Sequence, residues 1–366
     1  MPDIIASRIK ALRQERGLSQ AEVAGLLGFK DRQTVSAIET GVRQVTAREL
    51  LLATEQLGVS LDYFTDPFRL EGEARFSWRQ TGVAPERLTA YENRASRWIG
   101  AYRTLAGQVG REARLVRPSL GLTKRSRYED AIEAGERFAA EFELGRVPAL
   151  RLGAAMENGL GILVLMVDTE PGVSGAACRL PELDAVLIAR NEFPGRRHFD
   201  LAHELFHVLT WEAMPPKHVE EAAETSRDRV EQLANSFAAA VLMPTAAVAG
   251  YGPWRALDAD GLVARLNEAA TGLRVSASAL RWRLAAMGEI PAARARDIPE
   301  AAMRRNGGAE HQVVPPRFSK AFVEVLGLAL DEGMVSERRA AALVDSDVDE
   351  LPRVFAAHGI ERDIAV

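Results

Sequence analysis

The chain has 366 residues, too many for one ordinary hydrophobic core, and therefore predicts two or three domains. Hydrophobic residues make up 47% and charged residues 27%, which is typical of a folded soluble protein and excludes a disordered or membrane-embedded one. The formal net charge of -5 argues against indiscriminate coating of nucleic acid, because such binding needs a surplus of Lys and Arg, but it leaves room for a local DNA-reading surface.

Targeting signals and cysteine usage limit the cellular compartments in which the protein is expected. No stretch approaches the roughly 20 apolar residues that span a bilayer, and the start MPDIIASRIK carries no export signal, so no membrane association is expected. The single cysteine, Cys178, excludes an internal disulfide and a four-cysteine zinc site, and it fits a cytoplasmic protein. Any metal must be held by histidines and carboxylates.

Residues 4 to about 66 have the pattern of five short helices separated by tight turns. The first helix ends at Gly17, and Ser19 with Glu22 forms the capping box of the second. Thr46 is placed to cap the fourth helix. The other predicted helices are Gln20–Leu27, Arg32–Thr40 and a last turn at Leu61–Phe64.

The rest of the chain reads as an α+β, mostly helical arrangement. The pattern of residues 67–122 predicts a polar connection that is followed by a helix packed against the rest of the chain. Three runs of apolar or small residues predict the strands of a small sheet. The predicted strands are Gly161–Val167, Val173–Arg179 and Ala185–Ala189; helices are predicted near 85–105, 128–144, 197–211, 227–242 and 277–287; residues 288–316 read as a loose connection and 318–360 as a helical tail.

The segment HFDLAHELFHVLTW places His203 and His207 four residues apart on a predicted helix. That spacing puts both imidazoles on one helix face, one turn apart, where they can bind a single zinc ion. Glu204 is then placed to act as general base on a metal-bound water. The alternative is a buried His/Glu cluster hydrogen-bonded for packing. The apolar surroundings favour the metal site, because an acid between two histidines in a core needs a reason.

A catalytic zinc site needs three protein ligands and an open position for water. Ala213 stands where metzincins have a further histidine, which excludes that arrangement. Glu231 is the preferred third ligand because it lies in an alanine-rich helix of apolar residues, although an acid in the first turns of a helix can instead be an exposed partner of the helix dipole. The other acidic candidates are Glu212, Glu220, Glu221 and Glu224.

The remaining histidines give weaker signals. His198 is interpreted as an ordinary polar residue at the helix entrance, with a role in stabilising a tetrahedral intermediate as the alternative. No role is assigned to His218, His311 or His358.

The segments RRHFDLAHELFHVL and EQLANSFAAAVLMP resemble the ImmA/IrrE family of metallopeptidases, over roughly residues 147–287. Members of that family resemble thermolysin-like enzymes in using HExxH plus a glutamate, and they cut repressor proteins. The resemblance implies a zincin-like domain with His203, His207 and Glu231 as Zn²⁺ ligands and Glu204 as catalytic base. Two departures, Asp200 where the family usually has Thr and Phe206 where a small residue is common, leave the ligands unchanged and bear on the shape and acidity of the cleft.

The segment LSQAEVAGLLGFKDRQTVSAIETG resembles the helix-turn-helix of xenobiotic-response-element and Cro/CI-type repressors, over about residues 4–66. Its turn, Phe29 to Asp31, is one residue longer than is common. The resemblance implies that the second helix of the motif enters the major groove, with some side chains at base edges and others near phosphates. The residues expected at the groove are Arg32, Gln33, Thr34 and Ala37, and those expected near phosphates are Gln20, Lys30 and Arg43. The alternative is a bundle that docks a protein partner.

These patterns predict four segments: a helix-turn-helix domain at 1–68, a helical linker and packing segment at 69–145, a metallopeptidase domain at 146–290 and a helical C-terminal region at 291–366. The hypothesis is a transcriptional regulator that binds double-stranded operator DNA and carries a zinc peptidase for a regulatory protein. The first rival is a transcription factor or antitoxin-like binder whose peptidase domain is a non-catalytic sensor. A second is a housekeeping peptidase with a vestigial DNA module. Homodimerisation is left open, although helix-turn-helix proteins often dimerise on paired half-sites.

Overall fold

The computed structural model describes residues 4–70, 72–221, 228–304 and 314–362, without the side chain of Glu221. The N-terminal part is a bundle of five short helices with its own apolar core. Ser19 and Thr46 form the capping boxes with the glutamates three residues on, which is why the second and fourth helices begin where the sequence predicts. The five helices are α1 (Ile4–Glu15), α2 (Gln20–Leu26), α3 (Arg32–Glu39), α4 (Ala47–Gln56) and α5 (Leu61–Thr65).

The remaining described residues form helices packed on both faces of one sheet. The helices are α6 (Pro85–Gln108), α7 (Tyr128–Glu141), α8 (Leu152–Ala154), α9 (Pro194–Thr210), α10 (Arg229–Leu242), α11 (Thr245–Ala249), α12 (Ala259–Leu273), α13 (Ala277–Ala286), α14 (Ala292–Asp297), α15 (Lys320–Asp331), α16 (Glu337–Leu343) and α17 (Leu351–Ala356). The strands are β1 (Arg75–Gln80), β2 (Leu163–Val167), β3 (Val173–Arg179), β4 (Asp184–Ala189) and β5 (Val219–Glu221).

The five strands form a mixed sheet in the order β2-β4-β3-β1-β5. Strand β3 pairs antiparallel with β1 and with β4, while β2 runs parallel to β4 and β5 parallel to β1. Alternate residues of β4 illustrate the layering: Val186 and Ile188 belong to a core shared with α7, α9, α10, α12 and α13, and Ala185 and Leu187 to a core shared with α6 and α15–α17. The sheet is therefore covered on both faces, and α9 lies directly against β3 and β4.

Two interpretations of the sequence are corrected by this packing. Residues 75–80 read as part of a polar connection, yet they form β1 between β3 and β5, because Phe76 and Trp78 are buried on one face and Arg79 on the other. Residues 288–304 read as loose, yet they include α14 and bury Ile290 and Ala295 in the core under α9. The domain boundaries themselves stay predictions.

The helical bundle is joined to the rest of the chain through polar contacts of arginine side chains. The wholly buried guanidinium of Arg8 donates hydrogen bonds to the carbonyl oxygens of Tyr63, Asp66 and Arg69, where the chain leaves α5. Arg339 of α16 then pairs with the carboxylate of Asp66 at 2.8 Å. None of the helices in the described part of the chain is both long enough and apolar enough to traverse a bilayer.

Candidate metal centre

Helix α9 supplies two imidazoles to one buried cluster. The helix starts at Pro194, which is favoured in the first turn because its missing N–H needs no partner there. Its spacing of four residues stacks His203 over His207, and their Nε2 atoms lie 3.0 Å apart. Both side chains are buried, with 1% and 2% of their surface exposed.

Helix α10 brings the third member. Glu231 lies in the first turn of α10, which Asp228 caps by accepting the N–H of Val230. One oxygen of the Glu231 carboxylate is 3.2 Å from Nε2 of His203, and the other is 3.2 Å from Nε2 of His207. These three residues are the group, among those described, whose ligand atoms lie close enough to hold one ion, all within 4.8 Å of one another.

The position of α10 depends on close helix packing. Gly135 of α7 faces α10, and a Cβ there would lie 2.6 Å from the carbonyl oxygen of Phe237 and 2.8 Å from the Cβ of Ala240. Only a glycine therefore allows the two backbones this approach without a shift. The contact holds α10, the helix that carries Glu231, close against α7.

Asn235 sets the proton position on one imidazole. The side-chain oxygen of Asn235 lies 3.0 Å from Nδ1 of His203, so Nδ1 carries the proton and donates it, and Nε2 presents a lone pair to the cluster. That lone pair faces a carboxylate oxygen of Glu231, and two acceptors 3.2 Å apart repel each other unless a cation lies between them.

A divalent cation fits this donor set. Two imidazole nitrogens and one carboxylate oxygen are ligands that zinc accepts, and metal–ligand distances of about 2.1 Å in a tetrahedron separate the ligand atoms by about 3.4 Å. The observed separations of 3.0 to 3.2 Å approach that edge length. The cluster thus has the chemistry and spacing of a three-ligand metal site.

Burial and mutual contact shift the pKa values of these ligands in different directions. Burial lowers the pKa of His203 to about 3, with the charge of Arg79 acting in the same direction, so this imidazole is neutral near pH 7. Burial also acts to lower the pKa of His207, but the hydrogen bond and the charge of Glu231 outweigh it and raise that pKa. Burial acts to raise the pKa of Glu231, and its contacts with the two histidines lower it overall. The acid is ionised and His203 is neutral, as metal ligation requires.

Glu204 lies beside the cluster without joining it. Its side chain is 1% exposed and packs against β3, where a Cβ on Gly175 would lie 3.5 Å from Cγ of Glu204. Its Oε1 is enclosed and has no hydrogen-bond partner in the described part of the chain, and burial raises the pKa of this carboxyl to about 8. A carboxyl group with an unused oxygen and a raised pKa is suited to exchanging a proton with water.

The other acids considered as third ligand lie elsewhere or outside the described residues. Glu212 is 80% exposed and pairs with Arg179, whereas Glu220 accepts the backbone N–H of Lys217 at 2.9 Å. The side chain of Glu221 and all of Glu224 fall outside the described part of the chain.

The remaining histidines are engaged away from the cluster. Nδ1 of His198 lies 2.8 Å from the carbonyl oxygen of Arg274, so the ring is turned toward the end of α12. His218 pairs with Glu92 and His358 contacts the carbonyl oxygen of Arg317, while His311 lies outside the described residues.

Three residues near the cluster give little sign of their roles in the sequence. Asn235 orients His203, and Arg79 of β1 forms a buried ion pair with Asp200 of α9 at 3.1 Å. Asp200 stands out only as a departure from the family pattern. Asn235 lies four residues after Glu231 and could have been found from that helical spacing, whereas Arg79 depends on a strand that the sequence does not reveal.

The helix-turn-helix region presents some of the predicted DNA contacts to solvent. Lys30, Arg32 and Gln33 are exposed at the start of α3, where Asp31 caps the helix and accepts the N–H of Thr34. Thr34 and Ala37 are half-buried. These residues form one surface at the beginning of the helix expected to enter the groove.

Two of the residues predicted to contact phosphates already form hydrogen bonds within the bundle. Gln20 donates its side-chain amide to Glu39 at 2.9 Å. Arg43 makes two hydrogen bonds to Glu49, at 2.6 and 3.2 Å, and lies over the ring of Phe29. Either side chain would have to reach a phosphate with its remaining N–H groups.

Comparison with known families identifies the two functional segments. Residues 9–64 match the family model described as helix-turn-helix, and residues 158–285 match the one described as IrrE N-terminal-like domain, of the M78 peptidase class. Neither the curated proteins nor the solved structures gave a match. The second match contains the HExxH helix α9 and the glutamate of α10. The chain is therefore a fusion of an XRE-type helix-turn-helix domain with an ImmA/IrrE-like peptidase domain.

Proposed function

We propose that this protein is a transcriptional regulator whose IrrE-like domain is a zinc-dependent peptidase that cleaves a regulatory protein. The observation that carries the proposal is the buried group of His203, His207 and Glu231, with the enclosed carboxyl of Glu204 beside it. This is a three-ligand zinc site with a base next to it.

The bound metal would supply a polarised carbonyl and a water of lowered pKa. His203 and His207 would hold it through Nε2 and Glu231 through its carboxylate, while Asn235 keeps the His203 ring in the ligating tautomer. Glu204 would take the proton of the attacking water and give it to the departing amine. The enclosed setting of Glu204 supports that cycle, since a buried carboxyl binds a proton readily and releases it to a more basic nitrogen.

The helix-turn-helix match supports DNA binding by the N-terminal bundle. We place Arg32, Gln33, Thr34 and Ala37 at base edges, and Gln20, Lys30 and Arg43 near phosphates. A mobility-shift titration of the full chain on its own upstream region, repeated at several salt concentrations, tests this part. If the affinity for unrelated DNA equals that for the upstream region, the helix-turn-helix domain does not recognise an operator.

The peptidase proposal is tested with wild type and two variants, Glu204→Gln and His203→Ala. We expect the zinc-loaded wild type to cleave members of a peptide library, read out by mass spectrometry, and both variants to lose cleavage. Glu204→Gln should keep its zinc and His203→Ala should lose it. Zinc content therefore distinguishes the loss of the general base from the loss of a metal ligand.

The same variants distinguish the proposed peptidase from its rival, a domain that senses a ligand or partner without catalysis. If Glu204→Gln leaves transcriptional regulation in cells intact while abolishing cleavage, the peptidase does not carry the regulatory role. In that case the metal-bearing domain acts by binding a ligand or a partner.

A further inference from the structure

A buried cation lies beside the metal centre, on strand β1. Arg79 is 6% exposed, and its Nη1 lies 3.1 Å from Oδ1 of Asp200, a wholly buried acid one helical turn before Glu204. The other oxygen of Asp200 accepts a hydrogen bond from Nε of Arg196 at 2.9 Å. One buried acid is therefore shared by two cations, which leaves positive charge in excess.

The register of the sheet fixes the side from which Arg79 projects. Arg79 pairs with Gly175 of β3 in the antiparallel ladder, and residues directly opposite each other project from the same face. The missing Cβ of Gly175 faces Cγ of Glu204. Arg79 thus leaves the sheet toward α9, next to the carboxyl of Glu204. After burial, the charge of Arg79 is also the largest cause that lowers the pKa of His203.

Two donors of the Arg79 guanidinium have no acceptor among the described residues. These donors, Nε and Nη1, are enclosed, and the contact with Asp200 is close but not aligned for a hydrogen bond. A buried donor without an acceptor is destabilising, because it has lost its hydrogen bonds to water. A substrate oxygen beside the guanidinium would accept hydrogen bonds from these donors and so offset part of that loss.

We propose that Arg79 is a catalytic residue that donates a hydrogen bond to the scissile carbonyl oxygen as that oxygen becomes anionic. This inference rests on the proposed peptidase function. When the water oxygen bonds to the carbonyl carbon, the π electron pair moves onto the carbonyl oxygen and the water proton passes to Glu204. The new negative charge then lies beside the guanidinium. When the C–N bond breaks, the pair re-forms the carbonyl and the amine leaves with the proton from Glu204.

Asp200 is a positioning residue in this arrangement. It holds Arg79 against the sheet by charge, and its other oxygen accepts a hydrogen bond from Arg196. The role considered for His198 in stabilising the intermediate passes to Arg79, because the His198 ring contacts Arg274 instead.

The test uses the zinc-loaded full chain and three variants: Arg79→Met, Arg79→Lys and, as matched control, Arg196→Met. Each methionine variant removes one of the two cations around Asp200 and leaves the other, so neither abandons a buried acid. The measurements are kcat and KM on the quenched fluorescent peptide that wild type cleaves fastest. Calorimetry gives the Kd of its phosphinic analogue, in which a tetrahedral phosphinate replaces the scissile amide. Zinc content and Tm report on integrity.

We expect Arg79→Met to lower kcat by about 100- to 1000-fold with little change in KM, and to weaken binding of the phosphinic peptide by a similar factor. Arg79→Lys should recover part of both, and Arg196→Met should stay within about threefold of wild type. The inference is overturned if Arg79→Met retains wild-type kcat, or if Arg196→Met loses as much as Arg79→Met. A wild type that cleaves no peptide would instead remove the proposed function itself.

Discussion

Asn235 gives a sharp test of how the chain prepares its metal ligands. Its side-chain oxygen accepts the Nδ1 proton of His203 at 3.0 Å and so keeps the Nε2 lone pair directed at the cluster. In Asn235→Leu the acceptor is lost, and the imidazole can take the other tautomer or turn away. Whenever the His203 ring binds the metal through Nε2, its buried Nδ1–H is then left without a hydrogen-bond acceptor.

The size of the effect follows from that loss. Removing a residue that orients a metal-bound histidine typically weakens metal affinity by about 10- to 100-fold, which corresponds to about 1.4 to 2.7 kcal/mol. Asn235→Asp should act in the opposite direction, because a carboxylate is a stronger acceptor and makes the imidazole more basic. We expect its zinc affinity to equal or exceed that of wild type.

The assay is competition for zinc between the protein and a chelating dye at neutral pH. Ser236→Ala is the matched control, since its hydroxyl lies on the same turn of α10 but bonds the carbonyl oxygen of Gln232. The reasoning is refuted if Asn235→Leu binds zinc within about threefold of wild type, or if Ser236→Ala weakens binding to the same extent.

Three further predictions concern packing, pH and DNA. Gly135→Ala should lower the free energy of unfolding by about 1 to 2 kcal/mol in urea titrations, because overlap with the carbonyl oxygen of Phe237 outweighs the better helix propensity of alanine; Gly25→Ala, which has open space, should show no loss. In the metal-free protein the pKa of Glu204 is about 8, whereas the ordinary value is 4.5, so the folded state loses stability as pH rises from about 4.5 toward 8. Glu204→Gln does not titrate and should therefore be more stable than wild type by roughly 3 kcal/mol at pH 7. The gap should nearly close at pH 4.5, and a gap that does not widen with pH contradicts the burial argument. Gln33→Ala should weaken binding to the preferred operator by about 1 to 3 kcal/mol in mobility-shift titrations and leave affinity for unrelated DNA unchanged; equal losses on both would exclude a base contact.

The elements that the sequence predicts well are those specified by local chemistry. The bundle helices begin at Ser19 and Thr46, where capping boxes form within four residues, and the first ends before Gly17, whose φ of 66° suits glycine. The His203–His207 pair is equally local, since one turn of helix alone sets its geometry.

The features that the sequence does not reveal depend on contacts far along the chain. Strand β1 alternates polar and apolar residues like a surface strand, but its polar face is buried because Arg79 finds Asp200 of α9. Residues 288–304 look unstructured because alanine, arginine and proline dominate them, yet Ile290 and Ala295 complete the core beneath α9. Such burial is decided by tertiary packing, which propensity and periodicity do not encode.

The most direct measurement of the central claim is the zinc stoichiometry of the purified full chain after zinc loading and removal of excess metal, compared with the double variant His203→Ala/His207→Ala. We expect one zinc per chain in wild type and none in the variant, with both proteins folded by circular dichroism. A wild type that retains no zinc, or a variant that retains as much as wild type, would contradict it.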